Sequence, residues 1–239
     1  MKINWHHIKM VLLLILVVTL FAFSSKKNEA RLVSNPKVHF KGDNNLFITQ
    51  EAVSKLLIQN QGGTPNVRKE SLDLNVLETA LNANPMIKSA EVFVDINGNL
   101  TAEVEQKKPI ARVTHSEPFY IDDTGHVMPL SANYTARVPL VTGTVSKNNL
   151  EVVYQIAQKI KSDPFLNMHV TSIHQYPDQT VSLRLRQYDF EVYLGHLSQL
   201  DKKINNLKAF YKKAFKDKIL TNYSKVNLQF DSQVICTKS

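Results

Sequence analysis

Histidines, paired carboxylates and a single thiol are the residues of this 239-residue chain whose types could carry chemistry, so their spacing is the first question. His126 follows Asp122 and Asp123, a set able to hold a metal ion or to work as acid and base. The same residues spell Asp122-Asp123-Thr124-Gly125, a turn whose carboxylates accept local backbone hydrogen bonds, and that accounts for both of them. His6-His7 stands beside an apolar stretch, where interfacial polarity explains the pair, and neither repeats at ligand spacing. His169, His174 and His196 are scattered through strand-like segments, and no Ser, His and Asp arrangement accompanies them. Cys236 is alone, which excludes an internal disulfide framework and a multi-cysteine zinc site, and it reads as an inert thiol near the C-terminal end. Arg112 reads as a solvated or ion-paired strand residue, with an interdomain contact as the alternative. The seven glycines, Gly42, Gly62, Gly63, Gly98, Gly125, Gly143 and Gly195, form neither GxGxxG nor GxxxxGK[ST]. The expectation is therefore a protein without catalytic residues, cofactor, metal or small-molecule substrate.

A composition of 43% hydrophobic and 21% charged residues excludes collagen-like, disulfide-stapled and disordered classes, and leaves a folded protein of one large or two small domains. The net charge of +8 is uneven, at +4 for residues 1–34, −1 for 35–111, −1 for 112–197 and +6 for 198–239. A slightly acidic middle speaks against nucleic acid, whose binders carry basic residues across the folded surface. Lys202, Lys203, Lys208, Lys212, Lys213, Lys216 and Lys218 fall within one stretch, read as the wet face of an amphipathic helix. An acidic partner or lipid headgroups are the alternatives for that face.

Residues 10–23 (MVLLLILVVTLFAF) carry no charge. As helix they are about 21 Å long, short of the roughly 30 Å bilayer core, and the flanks from Trp5 to Ser25 extend them, with Lys9 snorkelling. A cleaved signal peptide is the rival, with Ala22 and Ser24 before a cut that Phe21 and Phe23 crowd. Either way the bulk of the chain lies outside the cytoplasm, and the short N-terminal tail favours an N-inside orientation.

After a polar linker over residues 24–35 that ends at Pro36, periodicity predicts the following elements. Residues 37–40 form a strand, then a turn at residues 42–45 leads to a helix capped by Thr49 with Val53, Leu56 and Leu57 on one side. Residues 62–65 (GGTP) break the chain before a helix over 74–82 that sets Leu74, Leu77 and Leu81 together. Strands at 90–96 and 100–104 flank Asn97-Gly98 as a hairpin. Further strands follow at 110–113, 118–121 and 138–141. Then comes a helix carrying Leu150, Val153, Ile156, Ala157 and Ile160, which Asp163-Pro164 terminates. Strands at 170–175, 181–185 and 190–194 precede the basic helix, capped by Ser198 with Asp201, its apolar stripe being Leu200, Ile204, Leu207, Tyr211, Ala214 and Phe215. The last element, residues 225–230 (KVNLQF), puts Val226, Leu228 and Phe230 on one face and Asn227 and Gln229 on the other. That is the pattern of a strand near a sheet edge, and no later segment is long enough to cover it.

Residues 84–112 (NPMIKSAEVFVDINGNLTAEVEQKKPIAR) resemble the end of a POTRA domain, whose βααββ order matches the elements above. With FYIDDTGHVMPL at 119–130, RVPLVTG at 137–143, the late Lys-rich helix and KVNLQFDSQV at 225–234, the chain resembles the bacterial FtsQ/DivIB cell-division family across essentially its whole length. The closing QVICTK is similar to members from Bacteroidota. Gln106 departs from the pattern, since many relatives have Glu before the basic-x-Pro step.

The resemblance implies an α+β protein with one N-terminal transmembrane helix, a βααββ POTRA domain and a mixed β domain with a mainly antiparallel sheet. Its divisions would be a cytoplasmic tail at 1–9, an anchor at 10–25, a linker at 26–35, a POTRA domain at 36–109, a β domain at 110–234 and a tail at 235–239. It implies a non-enzymatic inner-membrane divisome scaffold at the septum with periplasmic domains and FtsB-like and FtsL-like partners. In the family a partner strand adds to the last strand of the β domain, which maps here onto Lys225, Val226, Asn227, Leu228, Gln229, Phe230 and Asp231. An accessory of polypeptide transport and a secreted enzyme are the competing readings. The first would repeat its POTRA unit, and the second would need a clustered catalytic set.

Overall fold

The computed structural model describes residues 5–29, 32–43, 45–60, 67–69, 72–114, 117–230 and 233–239. The GGTP break at 62–65, Asn44 of the turn at 42–45, residues 30–31 of the linker and Asp231 lie outside these residues. The chain divides into two compact units, residues 1–106 and 107–239.

Unit 1 begins with helix α1 (Trp5–Glu29). Within it residues Ile8–Lys27 are long and apolar enough to cross a membrane. At 1.5 Å per residue the helix is about 37 Å long, more than the hydrocarbon core requires. It continues four residues beyond the expected end of the anchor, so the start of the polar linker is helical. Lys26 and Lys27 sit in the last turn, where cations oppose the negative end of the helix dipole.

Strand β1 (Lys37–Lys41) is followed by α2 (Gln50–Asn60), which Thr49 caps by accepting from the Ala52 N–H at 3.2 Å. Helix α3 (Leu74–Asn82) starts at Asp73, whose carboxylate accepts from the N–H groups of Asn75 and Val76. Strands β2 (Ile87–Val94) and β3 (Leu100–Gln106) form the hairpin, and β1 joins β3 in parallel to give the order β1-β3-β2. At the turn Gly98 adopts φ +87°, and Asp95 accepts from the Asn99 side-chain amide and from the N–H groups of Asn99 and Asn97, bonds that hold its carboxyl below the ordinary range. Val38, Val53, Leu57, Leu77, Leu81, Val92, Ala102 and Val104 make the core. Gln106 closes it: its Oε1 accepts from the N–H groups of Phe47 and Ile48, and its Nε2 donates to the Ile48 carbonyl at 2.9 Å. Gln106 is thus a buried clamp that uses its amide as donor and acceptor together, which a carboxylate cannot do.

Unit 2 runs β4 (Pro109–Val113), β5 (Phe119–Asp122), β6 (Val127–Pro129), β7 (Leu140–Gly143), α4 (Glu151–Ser162), α5 (Pro164–His169), β8 (Val170–Gln175), β9 (Val181–Leu185), β10 (Glu191–Gly195), α6 (Leu200–Lys216), β11 (Tyr223–Asn227) and β12 (Ile235–Lys238). Its nine strands are ordered β12-β11-β10-β9-β8-β7-β4-β5-β6. Most neighbours are antiparallel. Of the three parallel pairs, β4/β7, β7/β8 and β10/β11, the last two are bridged by α4 with α5 and by α6. Both crossovers step the same way along the sheet from strands of the same direction, so right-handed connections lay all these helices on one face. The register agrees. Val113, Val141, Ile173, Leu183, Val192 and Val226 form one transverse row, and they share a core cluster with Val153 and Ile156 of α4 and Ile204 and Leu207 of α6. At Gly143, φ is +94° and an added Cβ would sit 2.0 Å from the Gln175 carbonyl oxygen, so no other residue fits without moving the backbone.

Several expectations are corrected here. Asp163-Pro164 ends α4 but also begins α5: the Asp163 carboxylate accepts from Phe165 and Leu166 N–H, and Pro164 occupies the first turn. Ser198 does not cap α6. Gln199 holds that position at φ +54° without a side-chain cap bond. Phe215 is 60% exposed rather than part of the buried stripe, while Lys203 leaves the wet face and is 4% exposed. Its ammonium donates to the carbonyls of Leu194 and His196 at 2.9 and 2.6 Å, which offsets the cost of burying the charge. Residues 235–239 are no tail, because β12 occupies most of them.

Candidate functional site

Strand β11 starts two residues earlier than expected and ends at Asn227, so Leu228, Gln229 and Phe230 follow it rather than belong to it. More consequential is its position. It pairs in parallel with β10 on one side and antiparallel with β12 on the other, Lys225 facing Thr237, Val226 facing Cys236 and Asn227 facing Ile235. The premise that nothing covers this strand is overturned, and the free edge belongs to β12. Sequence reasoning missed β12 because it is four residues long, although the β-branched Val234, Ile235 and Thr237 were a signal for it.

Each predicted residue now has a place. Lys225 reaches Glu191 at 3.3 Å and lies over the Tyr193 ring at 4.5 Å from its centroid. Val226 and Leu228 are buried in the core, and the Leu228 N–H extends the ladder by donating to the Tyr193 carbonyl at 2.8 Å. Asn227 accepts from the Gln229 N–H, and the Gln229 stem rests against Gly195, where a Cβ would come within 3.2 Å of it. Phe230 is 47% exposed. These residues therefore back the edge strand. On β12 itself Ile235 is 45% exposed on the face away from the helices, Cys236 turns toward the core, and burial pushes its thiol up. The Ser224 hydroxyl lies within reach of the Thr237 and Lys238 carbonyls and ties β12 inward. Among the described residues no strand lies beyond β12.

The candidate chemical groups stay apart. Asp122 is fully buried and accepts from the Thr124 and His126 N–H groups and the Thr124 hydroxyl, with Lys107 at 3.1 Å. Burial alone would raise its pKa, but these donors outweigh it and hold the carboxyl below 3.8. His126 is bound through Nδ1 to the Thr124 hydroxyl, so the turn accounts for Asp122 and His126, whereas Asp123, expected to accept local backbone bonds as well, keeps a buried Oδ1 without a hydrogen-bond partner. The His169 ring stacks on Phe165, and Arg112 lies on β4 between Tyr120 and Leu140. The side chains of His6 and His7 lie outside those described. Among the described residues no group of three His, Cys, Asp or Glu could hold a metal ion.

Comparison with known proteins places both units. The family model "FtsQ/DivIB, C-terminal related" matches residues 108–237, more than half of the chain. This chain belongs to that family. A POTRA-like model matches residues 38–105, ahead of the FtsQ/DivIB region. The Cell division protein FtsQ of Salinibacter ruber (strain DSM 13855 / M31) is 24% identical over 168 residues, and the match covers 64% of this chain and 64% of that protein. The FtsQ/DivIB resemblance read from the sequence is thereby confirmed, as are the α+β class and the POTRA-like region. The match spans less than two thirds of that relative's length, and α1 is long and apolar enough for a single-pass membrane protein.

Proposed function

We propose that this FtsQ/DivIB chain is a non-enzymatic divisome scaffold, anchored in the inner membrane by α1, whose unit 2 captures an FtsB-like and FtsL-like complex by strand addition. The addition site is the free edge of β12, one strand further out than the residues first assigned, with Lys225–Phe230 as its support. The observation that carries this reading is that β12 ends the nine-stranded sheet with Ile235 exposed and its outer side unpaired by any described strand. A strand added there gains main-chain hydrogen bonds for affinity and side-chain contacts at alternate positions for specificity. Orientation and place complete the proposal: residues 1–9 on the cytoplasmic side, the POTRA-like region and unit 2 in the periplasm, the chain at the division septum.

The test is a pull-down of FtsB-like and FtsL-like partners by the full chain, by Ile235→Lys and by a chain lacking residues 235–239. Loss of both partners with the two variants, while both units stay folded by circular dichroism, is the expected result. Undiminished capture by the truncated chain would sink the assignment of the edge. For orientation, a reporter active only outside the cytoplasm should work when fused after Ser239.

A further inference from the structure

Unit 2 lays α4, α5 and α6 on one face of its nine-stranded sheet, and none of its described helices covers the other. Two transverse rows of register partners cross it. One runs Arg112, Leu140, Ser172, Arg184, Glu191, Lys225, Thr237; the next runs Thr142, His174, Ser182, Tyr193, Asn227, Ile235. Where strands β7 to β10 contribute to these rows the face dips into a cavity of about 310 Å³.

The bonding inside that cavity is lopsided. Glu191 is the register partner of Arg184, and facing residues of antiparallel strands have Cβ atoms about 5 Å apart, so an ion pair is available to them. It does not form. The Glu191 carboxylate turns instead to the Tyr176 hydroxyl, which donates at 2.6 Å, and to Lys225. Burial of Glu191 opposes ionisation, yet Tyr176, Ser182 and Lys225 hold its carboxyl below the ordinary range, so the site's negative charge is already satisfied. Arg184 is left exposed beside Ser172, and among the described residues neither side chain has a hydrogen bond or ion pair. His174 and Thr142, bonded to each other at 2.9 Å, close the near wall. Arg112, in the same row, also keeps a buried Nε without a hydrogen-bond partner.

We infer that this cavity is a docking site for a carboxylate side chain of a partner polypeptide, gripped by the Arg184 guanidinium and the Ser172 hydroxyl. A guanidinium presents paired donors matched to a carboxylate, and the shielded floor strengthens the bond relative to open water. The size argues for a side chain with its flanking backbone, since about 300 Å³ is the lower limit of small-molecule sites. The site does not depend on strand addition at β12 and stands or falls separately.

The experiment is a titration of the full chain in detergent with acetyl-Gly-Glu-Gly amide, the Gln analogue and inorganic phosphate, read by the NMR signals of the His174 and Tyr176 rings. The Glu peptide is expected to shift both signals saturably, the Gln peptide to leave them in place and phosphate to bind more weakly. Arg184→Gln should weaken the Glu peptide at least tenfold with an unchanged melting temperature, and Arg184→Lys should restore part of it. Equal binding of the two peptides, stronger binding of phosphate, or full affinity in Arg184→Gln would each overturn the inference.

Discussion

The two sheets of this protein treat their edges in opposite ways. On β2 of unit 1 the outward N–H groups of Ala90 and Val92 donate to Asn82 Oδ1 and Glu78 Oε1 at 2.8 Å each, and Asn82 Nδ2 returns a bond to the Ala90 carbonyl. Helix α3 thus spends two polar side chains on closing the edge of the POTRA-like sheet. No described side chain does this for β12, whose Thr237 and Lys238 carbonyls are reached from the inner side by the Ser224 hydroxyl. Unpaired strand edges invite other chains, and proteins ordinarily blunt them. One edge closed by its own helix and one left open within the same chain is the contrast on which the proposed use of β12 rests.

Breaking the contrast at its strongest point means removing residues 235–239. Partner binding should fall at least a hundredfold in a pull-down or surface titration, while the unfolding of unit 1 stays where it was. Next in size is Gln106→Glu, which removes a donor from the buried Ile48 carbonyl and sets a carboxylate beside it; a loss of about 3 kcal/mol in urea unfolding of unit 1 is expected. Opening the protected edge with Asn82→Ala and Glu78→Ala together should cost unit 1 about 2 kcal/mol and produce concentration-dependent association by sedimentation. Lys203→Met keeps the buried stem but leaves two carbonyls without their donor, and unit 2 should lose about 1 to 2 kcal/mol by the same measurement.

The smallest effect concerns acid. Asp122 has its pKa depressed below 3.8, so its contribution is fully present above that unfolded value and is lost as pH falls through the lower folded one. Asp122→Asn should therefore flatten the decline in unit 2 stability below about pH 4, with little change in that slope at neutral pH.

Much of the fold was legible because it rests on short-range pattern. Helix α3 and strands β8 and β9 fall within the residues that periodicity assigned to them, and the Asn97-Gly98 turn carries the positive φ that the dipeptide signals. Misses share a different cause. Asp163-Pro164 was read as a stop because proline disfavours the helix before it, yet the same pair is an N-cap followed by a proline in the first turn. At the candidate site, alternation in KVNLQF correctly placed Val226 inward. It could not say whether another strand lay outside, since four residues after a loop carry almost no periodic signal.

What this sequence determined alone is what neighbours along the chain decide: the apolar helix α1, the Thr49 cap, the Asn97-Gly98 turn and the alternation of buried and open positions. Tertiary structure decided the rest, namely which strand ends the sheet, that Lys203 turns inward, and that Glu191 answers Tyr176 and Lys225 and leaves Arg184 open. Those outcomes depend on backbone carbonyls, hydroxyls and strands brought together from distant positions. A side chain's final environment is set by the non-local pairing that folding completes, and no local period encodes it.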